Sequence, residues 1–176
     1  MPFVFVSGDL ALDFAATLKW RRGPDPEELL ATGADAARWA VEAGVLSRPP
    51  RVGEEELRAL RALREAVYSA LHPAAAAPRP ADIRVLNRAA AQPGPRPALT
   101  ALGVRRSGDA TALGAAVAVA AIALLESRPP IRECAGEACT RLFVDRSRAG
   151  NRTWCGMEEC GNRVKAASYR ARRARE

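Results

Sequence analysis

The sequence predicts an α+β chain, mainly helical: a helical N-terminal domain with a small β element, followed by a C-terminal module built on four cysteines. Three observations carry this. Apolar residues recur at helical spacing through most of the first 128 positions, and one stretch, ALTALGVRR, reads instead as a strand. All four cysteines fall in the last 43 residues, as Cys134-x4-Cys139 and Cys155-x4-Cys160 with 15 residues between the pairs. A segment of that size cannot fold on apolar burial alone, so the cysteines are expected to hold it together.

In chain order, FVFV reads as an extended start, and SGDLALDFAATLKW places Leu10, Phe14 and Leu18 on one helix face with Ser7 or Asp9 as cap. PDPEELLATGADAARWAVEAGVL begins with prolines and acids suited to a helix N-terminus, breaks at Thr32-Gly33 and resumes as a helix to Gly44, which puts Trp39 on a helix. GEEELRALRALREAVYSALH repeats Leu57, Leu60, Leu63 or Arg64, Val67 and Leu71 at helical spacing. Three glutamates favour the positive end of its dipole, and Pro73 stops it. A short helix over 81–91 follows; QPGPRP breaks it before the ALTALGVRR strand. Ser107-Gly108-Asp109 supplies a turn and a cap for a helix over 111–127. The uncharged run Ala110 to Leu125 covers 16 residues, is alanine-rich and contains Gly114. A membrane span needs about 20 strongly apolar residues, so this run is expected to be a buried core helix. Arg128-Pro129-Pro130 closes the first domain as a stiff hinge, which divides the chain into 1–128 and 129–176.

The N-terminal stretch has no basic residue before its apolar run and contains Asp9 and Asp13, unlike a secretory signal, so the expected location is cytoplasmic. Thiols stay reduced there. Two closely spaced cysteine pairs joined by a hairpin-sized segment suit a tetrahedral Zn²⁺, with Cys134, Cys139, Cys155 and Cys160 as ligands; the competing reading is a redox or reactive-thiol role. Four thiolates and Zn²⁺ leave a net charge of −2, which Arg141 and Arg163 are placed to offset. Leu142-Phe143-Val144 and Thr153-Trp154 are β-prone ends around Ala149-Gly150-Asn151, a hairpin pattern, and Cys160 opens a helical pattern, GNRVKAASYRARRARE. Hairpin followed by ligand-bearing helix makes a treble-clef-like zinc finger.

The chain carries a formal +7, with 27 basic residues of which only Lys19 and Lys165 are lysine. From Ile131 onward there are 11 basic residues against six acidic ones. On the last helix, Val164, Ala167, Ala171 and Ala174 share one arc, while Lys165, Tyr169, Arg170, Arg172 and Arg173 share the opposite one. A basic rod of this kind suits a DNA groove, with Arg163, Lys165, Tyr169, Arg170, Arg172 and Arg173 as candidate contacts; the plainer reading is a solvated surface. Gly161 and Asn162 are assigned structural roles around the metal, with Arg163 either beside them or on phosphate.

Catalysis is not expected. His72 is the lone histidine and sits at a helix end, where it reads as a C-terminal cap or a surface residue. Asp9 and Asp13 share a helix face, but one of them reads as a cap.

The C-terminal WCGMEECGNRVKAASYRAR, with the preceding Cys-x4-Cys, resembles the CGNR zinc-finger family, whose name is the tetrapeptide Cys160-Gly161-Asn162-Arg163. GDLALDFAATLKWR and WAVEAGVL resemble the ABATE domain that usually precedes this finger; its usual motif has Asn-Thr where this chain has Ala16-Thr17. The resemblance implies the four cysteine ligands, one structural Zn²⁺ and DNA binding by the finger in a stress-induced transcription regulator. On this reading the N-terminal domain is expected to sense an unknown small-molecule or protein effector. A module this small calls for a homodimer or a second DNA contact. The alternative is a zinc-stabilised protein- or RNA-interaction module. Phe143, Trp154 and Tyr169 are its only aromatics, and at least two of them are expected to pack inside, which disfavours single-stranded RNA.

Overall fold

A computed structural model describes residues 2–136 and 138–162 of the chain. Asp9 accepts the Ala11 N–H at 2.8 Å and starts α1 (Leu10–Ala15), as its position in the sequence predicts. The helix is shorter than the apolar spacing suggests. Thr17 sends both its N–H and its hydroxyl to the Phe14 carbonyl, which closes the last turn, and Leu18 falls in a strand instead. That strand, β1 (Leu18–Lys19), pairs antiparallel with β2 (Glu27–Glu28), so the stretch PDPEE does not open a helix.

A buried charge explains this departure. Arg64 on α3 (Glu54–Leu71) is 3 % exposed and is buried on the same helix as Leu57, Leu60, Leu63 and Val67. Its guanidinium grips both Glu28 carboxylate oxygens at 2.5 and 2.7 Å, and a buried cation needs such a partner. Holding Glu28 over Arg64 fixes β2 in place.

α2 (Gly33–Glu42) starts from a reciprocal cap between Thr32 and Asp35 and ends at Gly44, whose φ of +70° only glycine adopts easily. Gly33 is required by space: a Cβ there would lie 2.0 Å from the Val52 carbonyl oxygen. Trp39 on this helix is 1 % exposed and meets Phe14 edge-on at 4.9 Å. α4 (Pro80–Ala90) follows α3, and α5 (Ala110–Ser127) starts from Asp109, which accepts the Ala112 N–H at 2.8 Å.

Helices α1, α3, α4 and α5 enclose the main core. By length and composition alone α5 could cross a membrane. Here its inner residues, including Leu113, Val117, Ala118 and Ala121, are buried in that core, while Val119 and Ile122 face outward. The expected single strand ALTALGVRR is a hairpin: β3 (Arg96–Thr100) pairs antiparallel with β4 (Gly103–Ser107). Gly103, at φ +110°, makes the reversal that the strand-like composition conceals.

Candidate metal centre

The sulfur cluster is built by a pairing the sequence does not announce. β5 (Ile131–Glu133) runs antiparallel to β6 (Leu142–Val144), with Arg132 opposite Phe143, so the hairpin encloses the first cysteine pair. The expected hairpin between Leu142–Val144 and Thr153–Trp154 does not form. Asp145 holds that segment as a loop instead: its buried carboxylate accepts from Ser147 N, Ser147 Oγ and Arg152 N and pairs with Arg132 at 2.8 Å. Beyond β5, the Cys134 N–H bonds Arg141 O at 2.9 Å and the Cys139 N–H bonds Gly136 O at 2.9 Å, which shapes the first knuckle.

β6 faces two cores. Phe143 packs on Cys134, Cys155 and Cys160, whereas Leu142 and Val144, pointing the other way, lie in the helical core with Leu12 and Phe14. Strand alternation makes three consecutive buried residues serve two clusters.

The second pair arrives through Arg152, whose guanidinium lies over the Phe143 ring at 4.4 Å and donates to the carbonyls of Val6, Trp154 and Cys155. Ala135 N–H bonds Thr153 O, and Cys155 N–H points at Cys134 Sγ at 3.3 Å. Cys160 lies within a π turn, Met157–Gly161, and the helical pattern expected after it falls almost wholly outside the described residues. Gly161 is buried there, and a Cβ on it would meet Met157 Sδ at 2.7 Å, consistent with a structural role; Asn162 is exposed, its N–H on Met157 O.

The four Sγ atoms lie within 4.8 Å of one another, and Cys139 and Cys155 are 3.9 Å apart. A tetrahedral site with Zn–S of about 2.3 Å has S···S edges of about 3.8 Å. All four cysteines are free thiols. Hydrogen bonds from the Cys139 and Cys155 thiols, and then from backbone N–H groups, hold Cys134 far below the ordinary thiol range. Cys155 is pushed up chiefly because it donates to Cys134, and burial with the neighbouring negative sulfurs pushes Cys160 up to about 12. The donor set, spacing and burial fit one structural Zn²⁺.

A small cavity beside the sulfurs is lined by Ala16, Lys19, Trp20 and Arg141 with Cys139, Cys155 and Cys160. Ala16, the position at which the resemblance noted above leads to an expected Asn, lines this cavity. Trp20 stands at φ +51°, strained for a bulky side chain. Arg141 is near the cluster as expected, but its guanidinium donates to Val4 O at 2.7 Å and lies 3.9 Å from Asp13.

Further bonds tie the centre to the helical part. Val144 N–H bonds Ser7 O, Arg146 donates to Gly8 O, and Thr140 Oγ1 accepts from Arg21 N. Glu133, next to Cys134, gathers Arg22 at 2.6 Å, Tyr68 at 3.3 Å and His72 at 3.3 Å. Burial first, and then the Glu133 charge, push the Tyr68 phenol up to about 12. His72 occupies the C-cap position of α3, but its ring bridges to Glu133 instead of capping carbonyls. Asp9 is the α1 cap, and Asp13 accepts the Ser7 N–H at 2.9 Å, so both carboxylates have structural partners. Sequence patterns single out neither Glu133, Asp145 nor Arg152, because each acts through contacts distant in the chain. The proposed nucleic-acid contacts Arg163, Lys165, Tyr169, Arg170, Arg172 and Arg173 lie outside the described residues.

Comparison with curated proteins finds no match. A family model for the CGNR zinc finger matches residues 131–173. A second model, ABATE, described as "Putative stress-induced transcription regulator", matches residues 8–128. With that match over most of its length, and a four-thiol centre where the second match falls, the chain belongs to the ABATE family and carries a CGNR zinc finger.

Proposed function

We propose that the protein is a zinc-dependent DNA-binding transcriptional regulator, in which residues 1–128 sense an effector and residues 129–176 contact DNA. The observation that carries the reading is the zinc centre of a basic finger, built on a strand whose other face lies in the helical core. A change in helix packing has a direct route to the finger through Leu142, Val144 and Glu133. The excess of 11 basic over six acidic residues from Ile131 onward supplies attraction to phosphate, with arginines reading base edges.

Effector binding is supported by a half-open groove of about 340 Å³ between α3, α4 and α5, floored by Leu60, Leu63, Val85, Ala89 and Gly114. That size is within the range of small-molecule sites. The reading assigns the chain no catalysis. It also disfavours a single-stranded RNA platform, because Phe143 is fully buried and Trp154 packs on the cysteine cluster.

Selection of zinc-loaded protein against a randomised duplex pool at two salt concentrations tests this. The control is a variant with Lys165, Arg170, Arg172 and Arg173 changed to Gln. Enrichment of one sequence, lost in the variant, supports a DNA-reading regulator. Salt-sensitive retention without enrichment, or no retention, refutes sequence reading and leaves an interaction module.

A further inference from the structure

The β3–β4 hairpin projects from the helical part with all ten strand residues exposed. Its root is fixed: Ser47 N donates to Arg106 O at 2.9 Å, and Ser47 Oγ accepts from Arg106 N at 2.8 Å. Its tip is shaped by Thr100, whose hydroxyl donates to Gly103 O at 2.7 Å and accepts the Leu102 N–H at 3.2 Å. Leu102 is fully exposed there, with Leu99 at 87 % and Val104 at 53 %. Register places Leu99 opposite Val104 and Pro97 opposite Arg106 on one face, with Ala98 opposite Arg105 and Arg96 opposite Ser107 on the other.

A ribbon this bare is costly. Two strands with nothing packed on them are marginal in water, and exposed leucines add no stability. Joining α4 to α5 needs no such device, since most connections in compact domains run to about 4–6 residues. Charge indicates what covers it. From Pro93 to Gly108 the chain has Arg96, Arg105 and Arg106 and no acidic residue. No described carboxylate pairs with these three arginines. Ribbon-to-ribbon association of two copies would bring six arginines together on a chain already at +7.

We propose that this hairpin is a second duplex-DNA contact, with its arginines on backbone phosphates and Leu102 pressed into the minor groove against a base step, bending the duplex. Five-residue strands reach about 17 Å, and a minor groove about 6 Å wide admits only the tip of such a ribbon. An apolar wedge is how side chains unstack a step and kink DNA; here it stands at the tip, with the three arginines set back toward the root, on the side of the flanking phosphates. The proposal rests on the DNA-binding reading above but places a contact outside the finger and adds an action, bending, that the finger does not require.

The test uses the full, zinc-loaded chain and a short duplex labelled at both ends, reading affinity by anisotropy and bending by energy transfer. Every substituted side chain is solvent-exposed, and circular dichroism checks that the fold is kept. Changing Arg96, Arg105 and Arg106 to Gln should weaken binding about tenfold or more and make the log–log salt slope shallower by about 2.7. Leu102→Ser should keep affinity within a few-fold and abolish the bend. Wild-type binding with both variants binding and bending equally overturns the hairpin proposal and leaves the functional reading standing. No DNA binding by the wild type defeats both. A wild-type dimer that Leu102→Ser dissociates in sedimentation overturns the proposal by making this face a self-interface.

Discussion

Replacing Leu142 with alanine separates an integrated zinc finger from a tethered one. Leu142 lies between two zinc ligands in sequence, yet it is 1 % exposed and belongs to the helical core. Truncating a leucine so buried removes about 2 kcal/mol of transfer free energy and leaves a cavity, for a total of about 3 kcal/mol. In a chain of 176 residues that lowers the melting temperature by roughly 6–12 °C. The assay is denaturant and thermal unfolding of zinc-loaded protein followed by helical circular dichroism, a signal that α1 to α5 dominate. The midpoint should fall with the denaturant slope unchanged, while the protein still takes up one zinc. An unmoved helical transition would show that the finger hangs on the Arg128-Pro129-Pro130 segment without stabilising the helices, and would refute the reasoning.

The Arg64–Glu28 pair gives a pH signature. Burial alone would raise the Glu28 carboxyl, but the Arg64 hydrogen bonds and charge, with the Leu30 N–H, hold it below the ordinary range. Its contribution to stability is therefore complete above the unfolded value of about 4.3 and is lost as pH falls through the lower folded value. Glu28→Gln should flatten that part of the acid limb in stability measured from about pH 6 to 3. Arg64→Met alone should cost roughly 2 kcal/mol, because Glu28 is partly exposed and keeps the Leu30 N–H and Arg61 at 3.6 Å, with partial recovery in the double variant. Gly136→Ala places a Cβ 3.1 Å from Cys139 Cβ and 3.3 Å from Cys160 Sγ; zinc affinity from chelator competition should fall about tenfold or more. Gly33→Ala drives a Cβ against the Val52 carbonyl oxygen at 2.0 Å, and the melting curve should show a loss on the order of 2 kcal/mol.

Signals confined to one stretch of chain were legible. Thr32, Asp109, Pro73 and the leucines of α3 mark their own helices, and the four cysteines announce a metal site by spacing and type. Signals that depend on distant partners were not. Leu18 continues the α1 spacing and becomes a strand because Glu28 is held over Arg64, 36 residues further on. Leu142–Val144 is a strand as its composition suggests, but its partner is Ile131–Glu133, and the turn-like Ala149-Gly150-Asn151 belongs to a loop organised by Asp145. The docking of the metal centre onto Val4, Val6, Ser7 and Gly8 joins the two ends of the chain, and nothing local in either segment signals it.

The most direct measurement of the central claim, that the zinc centre and the helical domain stabilise each other through β6, is amide hydrogen exchange of the zinc-loaded protein before and after chelation. Removing zinc should speed exchange in 131–162 and also in residues 3–8 and along α1, where the bonds to Arg141, Arg146 and Arg152 and the packing of Leu142 and Val144 are made. Faster exchange confined to 131–162, with residues 3–8 and α1 unchanged, would contradict it.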